Sequence, residues 1–240
     1  MANKNTLLKV RGLTFAYEDS KNDILNDISF NIYSKEITCI VGRNGAGKST
    51  LLKTLAKVIA YNGKISFEDS KLMTVKDYKQ KVAYLPDKPL LYDSLTAYQN
   101  LKLIRNLWML EDGNEYVNRC NELSKVLYME EHLDKPIEQF SLGMKEKLFF
   151  IANLARNPSV ILMDEPFSSW DKESFEQAHA LLKDYINKEK AALLFVSHSE
   201  SLKQRLSNRI LNLKDGKIYE GGIVSYEGNS NFPLINKNKD

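Results

Sequence analysis

Cysteine is scarce in this 240-residue chain: there are two, Cys39 inside an apolar run and Cys120 in a polar helical stretch. Neither has metal-ligand spacing, and no disulfide framework can be drawn, so both are expected to be reduced thiols, Cys39 as a small core residue. Long apolar runs are also missing. The longest mainly apolar stretches, 148–154 and 191–196, fall well short of the roughly 20 residues that cross a bilayer, so any membrane role is expected to run through a partner. The opening MANKNTLLKV has no apolar core followed by a small-residue cleavage site, and a cytoplasmic location is expected. Charge of one sign is not in excess either. With 34 Lys and Arg against 31 Asp and Glu, the net charge of +3 gives no reason to expect nucleic acid as the main partner. No repeat, low-complexity tract or Pro/Gly/Ser linker divides the chain.

What is present is the composition of a soluble globular protein, 43% hydrophobic and 27% charged, long enough to bury a substantial core. The first sixty-odd residues carry short runs that read as strands, LLKV, LTFAY, ISFNI, EITCIVG and GKISF, punctuated by turn residues such as Ser34, Lys35, Asn62 and Gly63. Within this part, the segment from Lys48 to Val58 sets Leu51, Leu52, Leu55 and Val58 at the spacing of one buried helical face. From Ser94 to about Met129 the pattern is helical. Thr96 and Gln99 are spaced as a capping box, with leucines 101, 103 and 107 behind them, and a second helix follows Gly113. Afterwards strand and helix alternate: VILMD (160–164), a helix near Glu173 to Lys188, ALLFV (192–196), then RILNL and KIYEG joined by an Asp215-Gly216 turn. VAYLP, VILMD and ALLFV are apolar on both faces, as buried parallel strands are, and the fold class is α/β.

Residues 42–49, GRNGAGKS, match G-x-x-x-x-G-K-[ST] between a strand-like run and a helix. Gly42, Gly45 and Gly47 let the backbone turn its N–H groups toward phosphate oxygens. Lys48 is expected to reach the terminal phosphates and Ser49 to supply an oxygen to Mg²⁺. VILMDEP would deliver Asp164 and Glu165 to the sheet edge where open α/β folds bind ligands. There Asp164 suits the Mg²⁺ shell, and Glu165 can polarise a water that attacks the γ-phosphate. ALLFVSH ends at Ser197 and His198. Of the three histidines, only His198 occupies a strand edge opening on that same face, as a candidate γ-phosphate sensor, while His132 and His179 lie in helical, charged surroundings. QFSLGMKEK (139–147) reads most simply as a helix start with Ser141 as N-cap.

Taken together, these motifs resemble the ATP-binding cassette ATPases, in the family's order, over residues 7 to about 222. The resemblance implies a P-loop ATPase core with a parallel sheet, an N-terminal antiparallel β subdomain and an inserted helical subdomain over about 93–150. All of 1–240 would then be one domain with a polar tail at 223–240. It implies binding of ATP and Mg²⁺ by Gly42, Arg43, Asn44, Gly45, Ala46, Gly47, Lys48, Ser49 and Thr50, with Tyr17 stacked on adenine. QFSLGMKEK aligns with the signature usually written LSGGQ, whose serine and glycine contact the γ-phosphate held by the opposite subunit. Ser141 and Gly143 match; Phe140, Leu142 and Met144 do not, although SLGMK is similar to the variant of bacterial export cassettes for peptides, drugs and lantibiotics. YLPD carries Asp87 where the family commonly has glutamine, leaving Asp87 a candidate metal contact through water. PFSSWD, ending at Asp171, matches the loop that crosses the dimer interface. The implied unit is a homodimer or heterodimer of cassettes, peripheral on the inner face of the membrane through an integral membrane permease. A soluble cassette ATPase of a cytosolic assembly, such as iron–sulfur cluster biogenesis, is the alternative, and a P-loop small-molecule kinase fits least.

Overall fold

The structure, a computed structural model, describes residues 5–18, 22–68, 73–110 and 113–223. The polar tail expected from 223 onward lies, beyond Ile223, outside them. Two sheets carry the fold. The first is antiparallel, with β1 (Thr6–Phe15) between β2 (Leu25–Tyr33) and β4 (Asn62–Phe67). The two strands expected over LLKV and LTFAY are one. Gly12, at φ +59°, sits where the β1–β2 register shifts, so the chain passes through a bulge without leaving the sheet. β1 ends at Phe15, which leaves Tyr17 outside the strand and 46% exposed.

The second sheet runs β5 (Val82–Leu85), β6 (Val160–Asp164), β7 (Ala192–Val196), β3 (Ile37–Val41), β8 (Arg209–Lys214) and β9 (Lys217–Ile223), parallel except for β9. Its central strands β6, β7 and β3 are apolar apart from Thr38 and the terminal Asp164, because both faces are covered. Ile161, Met163, Leu193 and Phe195 pack into one core with the helices α3 (Ala97–Leu107), α4 (Gly113–Val126), α5 (Leu142–Leu154) and α6 (Lys172–Lys188). Val160, Leu162, Ala192 and Leu194 point the other way, to α1 (Lys48–Leu55) and the antiparallel sheet. Alternation along each strand thus divides the apolar residues between two cores.

One expectation about a helix face needs correction. In α1, Leu51, Leu52 and Leu55 are fully buried, but Val58 is 57% exposed. The helix stops at Leu55 because Lys57 turns to φ +53°, and its amide and that of Val58 reach back to the carbonyls of Thr54 and Lys53. That left-handed closure throws Val58 off the face. In α3 the capping box of Thr96 and Gln99 is formed and Leu101 is buried, whereas Leu107, at the end of the helix, is 67% exposed. Two helices were not expected at all, α2 (Val75–Lys81) and α7 (Glu200–Leu206). Each is two turns long and buries one or two side chains, Tyr78 in α2 and Leu202 with Leu206 in α7, too few to write a period into the sequence.

Candidate nucleotide site at the edge of the parallel sheet

The loop between β3 and α1 takes its shape from left-handed backbone at Gly45 (φ +77°) and Gly47 (φ +95°). At Gly47 the demand is double, since a Cβ there would also come 2.6 Å from Cγ2 of Ile24. Lys48 is almost fully buried, and its ammonium donates to the carbonyls of Gly42 and Arg43, each at 3.0 Å. The loop therefore closes around a cation, the arrangement a polyphosphate requires.

Adjacent strands supply the acids. Asp164, the last residue of β6, is nearly buried and accepts a hydrogen bond from the Ser49 side chain. Burial pushes its pKa up and the Asp87 and Glu165 charges add to this, while the Ser49 hydroxyl pulls it down. The Asp164 carboxyl and the Ser49 hydroxyl bonded to it are oxygen donors of the kind a hard divalent cation such as Mg²⁺ takes, while no group of three or more His, Cys, Asp or Glu side chains among the described residues is placed to hold an ion by itself. Glu165 follows at φ +49°, immediately before Pro166, with its amide bonded to the Val196 carbonyl at 2.9 Å. This strained turn sends its carboxylate sideways to the end of β7. There Oε2 accepts from the His198 amide (3.1 Å) and the Ser197 hydroxyl (3.3 Å). Oε1 lies 3.3 Å from Nε2 of His198, without hydrogen-bond alignment.

Tyr17, Asn44, Gly45, Gly47, Lys48, Ser49, Thr50, Asp87, Asp164, Glu165 and His198 line one cleft of about 480 Å³. The Tyr17 hydroxyl and Thr50 Oγ1 are 3.1 Å apart, and the tyrosine ring meets Phe15 edge-on, so the exposed ring is held at the mouth. Gly42, Arg43 and Ala46 instead line the far side of the same loop, a separate cleft shared with Asn22, Asp23 and the turn at 212–216. Ile24 and Val196 complete the nucleotide-side lining and carried no signal in the sequence beyond being apolar. Ser197 was also missed as a site residue. Its position next to His198 was the available clue.

Ser141 and Gly143 are not in this cleft. Ser141 caps α5, its Oγ accepting from the Met144 amide at 3.2 Å. Gly143 is buried against the loop that follows Glu165, where a Cβ would come 2.4 Å from the Ser169 carbonyl oxygen. One turn on, the nearly buried Lys147 bonds Asp171 (2.8 Å) and Ser174, and this pairing holds the Asp171 carboxyl well below the usual carboxylate range. Asp171 in turn caps α6. The half-buried Glu146 carboxyl lies against Ser169 and Trp170, its pKa raised by burial. Three residues of α5 therefore grip the segment 169–171 of their own chain.

A parallel sheet with a phosphate loop after one strand and paired carboxylates at the end of another defines a P-loop nucleotide-binding domain. A family model described as ABC transporter matches residues 25–168, and the chain belongs to that family of ATP-binding cassette proteins. The lantibiotic transport ATP-binding protein SrtF of Streptococcus pyogenes is 29% identical over 97% of both chains. The ABC transporter ATP-binding protein YtrB of Bacillus subtilis is 29% identical over 88% of this chain and 70% of its own. A solved ATP-binding subunit of an ABC transporter superposes with a TM-score of 0.82 at 28% identity, covering 90% of each chain. The same fold, at 24% identity and a TM-score of 0.80, recurs in a dimeric cassette described as a post-hydrolysis state bound to ADP and Pi; the match covers 92% of this chain and all of that one. No helix among the described residues is long and apolar enough to cross a membrane.

Proposed function

We propose that the chain hydrolyses ATP as one half of a cassette dimer and thereby powers a separate membrane permease, in export of a peptide, drug or related compound. The observation that carries this reading is the gathering of Lys48, Ser49, Asp164, Glu165 and His198 around one cleft while Ser141 stands outside it. In this reading Lys48 and the loop amides bind the phosphates, with Gly42, Arg43 and Ala46 shaping the loop from behind, and Tyr17 presents its ring to the base. Ser49, Asp164 and, through water, Asp87 would hold Mg²⁺. Bound there, the ion would neutralise phosphate charge and so lower the barrier to attack. Glu165 polarises the attacking water, and His198 senses the γ-phosphate. Ser141 and the Gly143 turn of a second subunit cover the nucleotide from the other side, so that binding closes the pair and hydrolysis opens it.

All of 1–240 is read as one ATPase domain carrying a helical insertion over about 93–150. It would be held at the cytoplasmic face of the membrane by the permease, and its partner cassette is either a second copy or a related chain. Support for transport comes from the relatives' descriptions, and support for export from the SLGMK variant together with the lantibiotic relative.

Glu165→Gln should retain ATP binding and lose about 10²- to 10⁴-fold in turnover, the usual contribution of a positioned general base. Wild-type turnover in that variant would remove Glu165 from the role. Purification of the chain at native level from detergent-solubilised cells with Mg-ATP should bring down a multi-span membrane protein in stoichiometric amount. Recovery of soluble partners only would favour a cytosolic assembly.

A further inference from the structure

Beside Glu165 lies a nearly buried hydroxyl without an assigned role. Ser197, the first residue past β7, is 5% exposed and lies between two functional positions. Its Oγ donates to Glu165 Oε2 (3.3 Å) and is itself fixed by the Ser199 amide, which donates to it at 3.1 Å. The His198 amide donates to the same carboxylate oxygen. Oε2 thus has two donors built on the end of a central strand, and Oε1 has no hydrogen bond among the described residues. A carboxylate anchored through one oxygen presents the other in a fixed direction, and here that oxygen faces Nε2 of His198. The left-handed backbone of Glu165, at φ +49° before a proline and with its amide tied to the Val196 carbonyl, aims the side chain at this strand end, and the two donors fix its Oε2 there.

We infer that Ser197 is a positioning residue for hydrolysis, holding Oε2 of Glu165 so that Oε1 is the oxygen that works on water. The inference rests on the reading of Glu165 as the base. A hydrogen bond to a charged acceptor is among the stronger ones, and its loss in Ser197→Ala should lower kcat about five- to tenfold. KM for ATP should stay within twofold, because Ser197 is not among the residues lining the cleft. Ser197→Thr keeps the hydroxyl and should restore most of the turnover.

The test uses the full chain with Mg-ATP, comparing wild type, Ser197→Ala, Ser197→Thr and Glu165→Gln. A parallel set of Ser197→Ala, Glu165→Ala and the double variant is melted without nucleotide. The loss of melting temperature on Ser197→Ala should shrink when Glu165 is already alanine. Unchanged kcat in Ser197→Ala, a loss falling on KM, failure of threonine to rescue, or full additivity of the two alanine variants would each overturn the inference. Wild-type turnover in Glu165→Gln would instead sink the reading of the base, an outcome distinguishable because it does not depend on residue 197.

Discussion

The phosphate loop and the start of α5 are both glycine-containing helix entrances, yet they are finished to different degrees. At the first, Lys48, Ser49 and Asp164 are already tied to the loop or to one another, and the cleft beside them is lined by the other acids and His198. At the second, Gly143, Glu146 and Lys147 are committed to the chain's own segment 169–171, while Ser141 and the 52%-exposed Leu142 remain at the surface. A built pocket shows what it is for by what lines it. A helix start locked from behind shows only that its position is coupled to the loop following Glu165, and in the proposed dimer its ligand is the nucleotide of a second subunit.

The comparison can be broken at either end. Lys48→Ala removes the only ammonium lining the cleft among the described residues, and nucleotide affinity should fall about 10- to 100-fold, as expected when a charged hydrogen-bond partner is deleted. Titration with a fluorescent ATP analogue checks this. Unchanged affinity would mean the loop does not hold the phosphates.

Gly143→Ala should act quite differently. Its methyl would be driven into the Ser169 carbonyl, and overpacking of this kind costs about 1–3 kcal/mol. For a chain of this size that corresponds to a drop of roughly 2–10 °C in melting temperature, read by calorimetry. Nucleotide affinity of the isolated chain should be unaffected. A variant as stable as wild type would mean that α5 and the segment at 169 separate easily, and the coupling would go with it.

The smallest effect is expected at the exposed Asp87. Replacing this carboxylate by glutamine should shift the Mg²⁺ concentration that gives half-maximal turnover by a few-fold at most, since an exposed charge is screened. Turnover measured across a Mg²⁺ series decides it, and an unmoved midpoint would remove Asp87 from the metal's surroundings.

The buried strands and the placing of Asp164, Glu165 and His198 at one sheet edge could be read from residue pattern alone, because doubly buried strands write continuous apolar runs and these polar residues end them; the order of the strands in the sheet could not. The exposure of Val58 could not either, since periodicity does not announce where a left-handed residue cuts it short. Gly143 was legible as part of a resemblance to a phosphate-contacting signature. Its packing against Ser169 depends on a segment twenty-six residues later in the chain and leaves no mark in local sequence. Ser197 belongs to the same category: its role follows from the unusual backbone at Glu165, which no pattern of residue types encodes.

The central claim, that Ser141 of one subunit completes the site built around Lys48 of another, is tested most directly by mixing two defective chains. Lys48→Ala and Ser141→Ala are assayed for ATP turnover separately and then together, at concentrations that permit dimers. If the site is shared, each mixed dimer contains one intact site, and the mixture should turn over ATP well above the sum of its parts. Activity no greater than that sum, with both variants folded and both forming dimers, would contradict the account.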